Sequence, residues 1–230
     1  FAQGSGRLEL ARAIVDHGNP LTARVFVNRV WQQLFGRGIV GTPSNFGLLG
    51  ERPTHPELLD HLASRFIASG WSAKQLHREI MLSATYRLAS TFNAANFERD
   101  PDNRLLWRMN RRRLEAEAVR DSLIFVAGQL DTSLGGTLLK SNPRDYVTRT
   151  ASIDNTNYAT QRRSLYLPVV RSALYDPFQA FDFAEPTTLK GDRESTTIAS
   201  QALFMMNSDV MNEQSARLAA RITAEHASDR

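Results

Sequence analysis

Helix punctuation is the feature that most constrains this chain. Three times in the first eighty residues a polar capping residue stands directly before an apolar run at helical spacing, and the first two runs close on a glycine. Asn19-Pro20 reads as an N-cap followed by a first-turn proline. The helix that follows runs to about Phe35, with Ala23, Val27, Val30, Trp31 and Leu34 facing inward. Arg24, Asn28 and Gln32 share another stripe. Thr54-His55-Pro56-Glu57 reads as a capping box, in which the Glu57 carboxylate reaches back to the Thr54 amide. Leu58, Leu59, Leu62, Phe66 and Ile67 give that helix its apolar face, and Gly70 stops it. Ser72-Ala73-Lys74-Gln75 is a second box, with Trp71 and Leu76 placed to form a hydrophobic staple. Its stripe, Leu76, Ile80 and Ala84, predicts a helix to about Ala89.

Weaker signals fill in the remainder. Leu8, Ala11, Ile14 and Val15 form a helical stripe before Gly18. Residues 36–53 read as a long loop holding Asn45-Phe46-Gly47, and residues 90–103 as a polar loop. Leu114, Ala118, Ser122 and Phe125 predict a helix over about 111–130. From Arg163 to Val170 the pattern alternates, which predicts a strand, and Pro168 places it at an edge. Tyr146–Thr150 is its candidate partner. Residues 171–196 read as irregular but ordered, and helices return over about 197–207 and 208–225. The expected fold is mainly α: one multi-helix domain over 1–230 with a small antiparallel β element in its second half. The chain opens on Phe1 and not on Met, so we expect it to be a fragment of a larger protein.

Composition removes several chemistries. There is no cysteine, which excludes disulfides, thiolate catalysis and thiolate-held clusters. No apolar run is long enough for a transmembrane helix. The net charge is +4 and all but three of the 28 basic residues are Arg. Acids are interleaved with these bases, which argues against a nucleic-acid face. None of His17, His55, His61, His77 and His226 falls at metal-ligand spacing, and His55 and His61 are six apart rather than four. No metal site is therefore expected. Phosphate-loop and nucleophile-elbow motifs are absent as well.

Two features carry a functional reading beside a structural one. Arg111-Arg112-Arg113 is expected to open a helix, where the macrodipole disfavours cations. Local pairs of Arg111 with Glu115 and of Arg113 with Glu117 would compensate. The other reading is an anion site at the helix start. Asp121 is then a further ion-pair partner or a site carboxylate. Tyr175-Asp176-Pro177-Phe178 and Phe181-Asp182-Phe183 place acids among aromatics, as a loop plugged onto the core or as a sugar-binding surface. If a ligand site exists, the residues to test are Asn28, Arg29, His55, Arg113 and Asp121. These polar side chains stand in dense segments without being required for helix formation.

A set of longer motifs carries a family resemblance. They are Asn19-Pro20-Leu21-Thr22-Ala23-Arg24, Val27-Asn28-Arg29-Val30-Trp31, Phe35-Gly36-Arg37-Gly38, Pro53 to Asp60, Ser83 to Arg87, Asn103 to Arg108 and Arg113 to Glu117. Later echoes are Arg163 to Tyr166, Gln201-Ala202-Leu203 and Met206-Asn207. Together they resemble a planctomycete-type domain of unknown function. That domain lies at the C-terminal end of large proteins carrying planctomycete cytochrome-c-like modules. The resemblance implies a multi-domain bacterial protein, exported to the periplasm or cell surface, with neighbours in redox traffic or polysaccharide use. It carries over no catalytic residues. The haem modules would lie outside this chain, which has no Cys-x-x-Cys-His, so no cofactor is expected here. The expected function is a non-catalytic interaction or scaffold module. Its expected partners are the other modules of the parent protein, with a glycan or acidic ligand as a further candidate. The alternative is a hydrolase-like domain acting on a carbohydrate or polyanion through His55 or Asp182.

Overall fold

Helices form where cap and apolar stripe agree. The structure, a computed structural model, describes residues 4–16, 18–138, 158–169 and 174–226. The chain divides into two compact units, Phe1–Arg112 and Arg113–Arg230.

In the first unit, helix α1 spans Arg7–Val15 and α2 spans Pro20–Phe35. The Asn19 carboxamide accepts from the Leu21 N–H at 2.9 Å and donates to the carbonyls of Ala13 and Ile14, so one side chain caps α2 and ties down the end of α1. Gly36, at φ 87°, closes α2, and its N–H reaches the Gln32 carbonyl at 2.7 Å. Helices α3 (Pro56–Ala68) and α4 (Ala73–Met81) pack against α2. Their core joins Val27, Trp31 and Phe35 to Leu59, Leu62 and Phe66, and to Leu76 and Ile80. The Phe26 and Phe66 rings stack at 4.7 Å, and Trp71 meets Phe66 edge-on at 5.2 Å.

Three local expectations change in this unit. No capping box forms at Thr54. Its N–H donates to the Ile39 carbonyl at 2.9 Å and its hydroxyl to the same oxygen at 3.3 Å, so His55 becomes the N-cap without a side-chain bond to the helix backbone. Helix α4 ends at Met81, because the Ser83 hydroxyl accepts from the Tyr86 N–H at 3.2 Å and turns the chain. Residues 90–103 are not loop throughout. Helix α5 (Ala94–Arg99) forms there, capped by Asn93 on the Asn96 N–H at 3.0 Å.

In the second unit, α6 spans Ala116–Val126, α7 Asp176–Ala180, α8 Ala199–Asn207 and α9 Asp209–Glu225. Ala116, Tyr158, Leu167 and Phe178 form its core. Tyr158 stacks on Tyr175 at 4.8 Å, and Phe178 on Phe183 at 4.6 Å. The aromatic segment 175–183 is thus a plug and not an open sugar platform. The Ser208 hydroxyl accepts from the Met211 N–H at 3.2 Å and separates α8 from α9.

The antiparallel β element is not present among the described residues. Residues 164–166 form a 3₁₀ turn, and the one bridge, Asp131 with Arg162, is isolated and parallel. The physical reason lies on α6. Asp121 accepts the Ser164 N–H, and Arg120 donates to the Arg162 and Thr160 carbonyls, so side chains satisfy backbone groups that a strand would pair. Tyr146–Thr150 lies outside the described residues.

The arginine run also sits differently. Helix α6 starts at Ala116 with Glu115 as N-cap, so Arg111–Arg113 precede it and face no helix macrodipole. Arg112 donates to the Gln33 carbonyl, and Arg113 to the Thr196 carbonyl and, at 2.7 Å, to the Thr197 hydroxyl. Glu117 and Glu115 pair with Arg193 instead of with Arg113 and Arg111.

Candidate functional site

A polar cleft lies in the first unit, with Trp31 of α2 in its lining. Asn28 is fully buried. Its carboxamide accepts from the Val40 N–H at 2.8 Å and donates to the Val40 carbonyl at 3.0 Å. This two-point clasp holds the chain after Gly36 against α2. Next to it, Ile39 receives Thr54, which brings His55 to the same place. A third strand of chain arrives through Asn103, buried and held at φ 52°. The Asn103 amide donates to the Arg108 carbonyl at 2.8 Å and to the Asn110 side-chain oxygen at 2.7 Å, and Asn110 donates to the Phe35 carbonyl at 3.0 Å.

The resulting cleft is lined by Thr54, His55, Asn103 and Asn110 with the charged Arg37, Arg104 and Asp102. Its volume is about 30 Å³, room for water or for one end of a ligand. Enclosed small-molecule sites are roughly tenfold larger. His55 Nδ1 lies 2.9 Å from the Thr54 hydroxyl. Which of the two donates follows the imidazole tautomer. Nε2 makes no hydrogen bond among the described residues. One Glu51 oxygen serves both Arg37, at 2.9 Å, and Arg104, at 3.4 Å. With Asp102 in the lining, two guanidiniums and two carboxylates surround the imidazole.

Two polar clusters lie within the other unit, one around Arg120 and Asp121 and one around Asp182. Arg120 is 2 % exposed. It reaches Asp121 at 3.2 Å, the Arg162 carbonyl at 2.9 Å and the Thr160 carbonyl. Asp121 accepts the Ser164 hydroxyl at 2.6 Å and the Ser164 N–H at 2.8 Å. Asp182 accepts the Thr196 N–H at 2.7 Å and its hydroxyl at 2.8 Å, with Gln201 at 3.4 Å. Burial would raise the Asp182 pKa, yet these hydrogen bonds and the nearby Arg113 charge together hold it below the ordinary value.

The motifs along the chain are also those of a family. A family model described as "PSD1: Protein of unknown function (DUF1553)" matches residues 6–230. The chain belongs to this family. No curated protein and no solved structure matches it. This DUF1553 chain shows no helix long and apolar enough to cross a membrane, among the described residues. No group of three or more His, Cys, Asp or Glu among those residues could hold a metal ion.

The five residues singled out in the sequence part ways in this DUF1553 chain. Asn28 and His55 converge on residues 39–40, Asn28 as the clasp and His55 as a cleft wall. Arg29 is exposed on α2. Arg113 and Asp121 belong to the other unit, and both are tied to its backbone. Sequence reasoning missed Asn103, Arg37, Arg104 and Asp102. A signal existed at Asn103, since asparagine is among the few residues that tolerate positive φ. It also missed Arg120, which falls with Ala116 and Ile124 on one buried helical stripe. A charge on such a stripe announces a buried polar network.

Proposed function

We propose that this DUF1553 chain is a non-catalytic interaction module, and that the His55 cleft receives an acidic group of its partner. The carrying observation is one cleft lined by His55 together with Arg37 and Arg104, two arginines that share the Glu51 carboxylate. Arg29, exposed on the same unit, is a second candidate contact. We place Arg113 and Asp121 among the structural ties, since each is engaged with backbone of its own unit. A hydrolytic reading has less support. Asp182, the carboxylate it would use, is engaged by Thr196 and Gln201 as a loop anchor. The proposed setting is a larger exported bacterial protein with redox or polysaccharide-handling modules, and it rests on the motif resemblance.

Calorimetric titration with inorganic phosphate, glucuronate and a sulfated oligosaccharide tests the cleft. Binding should weaken on protonation-insensitive substitution, His55→Gln, and on Arg104→Gln. Unchanged affinity in both variants would remove the cleft from the proposal. Turnover of any of these probes would overturn the non-catalytic reading.

A further inference from the structure

The loop that follows α2 carries a second device. It ends in Leu48 and Leu49, whose relative exposures are 105 % and 94 %. Full exposure of two adjacent leucines is unusual in a loop this tightly braced. The Thr42 hydroxyl donates to the Asn45 carbonyl at 2.8 Å and accepts from the Glu51 N–H at 2.9 Å. The Asn45 side chain accepts from the Gly47 N–H at 3.0 Å, and the Gly50 N–H reaches the Gly47 carbonyl at 3.0 Å. A Cβ at Gly50 would run into the Asn45 carbonyl, so the turn requires glycine there. Phe46 packs inward against the core while its neighbours Leu48 and Leu49 point out. The loop is therefore built to present the leucine pair.

The base of this tip is cationic. Arg37 and Arg104 converge on Glu51, and Arg52 beside it is exposed without an ion pair among the described residues. Three guanidiniums against the carboxylates of Glu51 and Asp102 leave one positive charge in surplus at the base of the loop. A convex apolar tip backed by cations matches the interface of an anionic bilayer. Acyl chains accept leucine without a preformed socket, and lipid phosphates and carboxylates meet the arginines.

We propose that the Leu48–Leu49 tip docks this chain peripherally on an anionic phospholipid surface. The proposal rests on the interaction-module reading and names its partner. A lipid phosphate at the arginines would also lie beside the His55 cleft, since Arg37 and Arg104 line both.

The test is co-sedimentation of the full chain with phosphatidylcholine vesicles and with mixed phosphatidylcholine–phosphatidylserine vesicles. Binding to the mixed vesicles alone, weakened by salt, is expected. Leu48→Ser with Leu49→Ser should weaken it at least about tenfold while leaving the melting curve in place, because neither side chain is packed. Arg52→Gln should weaken it too. A Leu48→Trp reporter should shift its emission to shorter wavelength on the mixed vesicles. Absence of vesicle binding, or equal binding by the serine variant, overturns the proposal. Concentration-dependent dimerisation abolished by the serine variant, without vesicle binding, would reassign the tip to a second copy. Phosphate titration of the same preparation separates the two readings. Phosphate binding without vesicle binding sinks the tip and leaves the cleft. Vesicle binding through the tip without phosphate binding does the reverse.

Discussion

Asn28→Ala should be among the most damaging single substitutions in the first unit. Asn28 is 0 % exposed and Val40, its partner, 3 %. The substitution leaves the Val40 N–H and carbonyl buried without their partners at 2.8 and 3.0 Å. Each of the two orphaned backbone groups costs about 1–3 kcal/mol, so the loss should be roughly 2–6 kcal/mol. Domains hold about 5–15 kcal/mol in all, which makes this a large fraction. Gly38→Ala should act on the same joint. Its Cβ would stand 2.5 Å from the Val40 carbonyl oxygen and 2.6 Å from the Asn28 amide nitrogen.

Asn28→Asp sharpens the test. The carboxylate could still accept the Val40 N–H, but its other oxygen would face the Val40 carbonyl in a buried site. Burial and that carbonyl both raise the folded-state pKa above the unfolded value of about 3.9. A raised pKa means that the folded state binds the extra proton. Relative to wild type, the variant should therefore be most stable below about pH 4, where the protonated acid donates to Val40. It should lose stability as pH rises through its folded-state pKa. The assay is urea unfolding followed by tryptophan fluorescence at several pH values. All three tryptophans, Trp31, Trp71 and Trp107, lie in the first unit, so the signal reports that unit alone. An Asn28→Ala loss under about 0.5 kcal/mol, or an Asn28→Asp profile parallel to wild type, would refute the clasp.

Arg120→Lys should not be conservative. A lysine cannot reproduce the fork that meets Asp121 and the Arg162 and Thr160 carbonyls, and we expect a loss of about 2–4 kcal/mol by thermal or urea melts read through tyrosine near-UV signals. Asp182 contributes stability that is present above its ordinary pKa of 3.8 and lost as pH falls through its lower folded-state value. Asp182→Asn should flatten that acid limb in a pH series of melts, and an unchanged limb would show that Asp182 anchors nothing. Arg193→Ala should cost more than Arg113→Ala, about 1–2 kcal/mol against about 1, because Arg193 holds Glu117 through bonds at 2.7 and 2.9 Å.

The elements legible in the sequence are those whose signals are local. Helix α2 has its cap, its proline, its stripe and its closing glycine within one stretch, and the Asn19 bonds follow that plan. Helix α3 follows its first-turn proline, its stripe and Gly70, and α8 and α9 fall over the spans expected for them. Misreadings arise where a distant partner decides. Residues 163–170 alternate like a strand, yet Leu165 is 82 % exposed and the backbone is held by Arg120 and Asp121, some forty residues away. Thr54-x-x-Glu57 has the form of a box, but Thr54 is drawn to Ile39 across the loop. The cleft was half visible. Asn28 and His55 stand in helix-proximal motifs, whereas Arg37, Asn103 and Arg104 come together only through loops whose paths no periodicity records.

The arginine content takes on a physical meaning in this light. A chain with no sheet among its described residues and long irregular connections leaves many carbonyls without backbone donors. A guanidinium offers five N–H groups in a planar fork, where lysine offers one mobile ammonium. Arginines fill the gap repeatedly. Arg112 meets the Gln33 carbonyl, Arg113 that of Thr196, Arg24 that of Pro20 at 2.8 Å, and Arg162 those of Ser133 at 3.2 Å and Gly135 at 2.6 Å. Arg120 does so from the buried stripe of α6. A basic excess of this kind marks side chains standing in for missing backbone pairing, and it does not of itself mark a polyanion-binding face. Arginines with a functional role are to be sought among those that hold no carbonyl. In the first unit, Arg37, Arg52 and Arg104 around Glu51 are among the arginines that meet this criterion, as is Arg29 on α2.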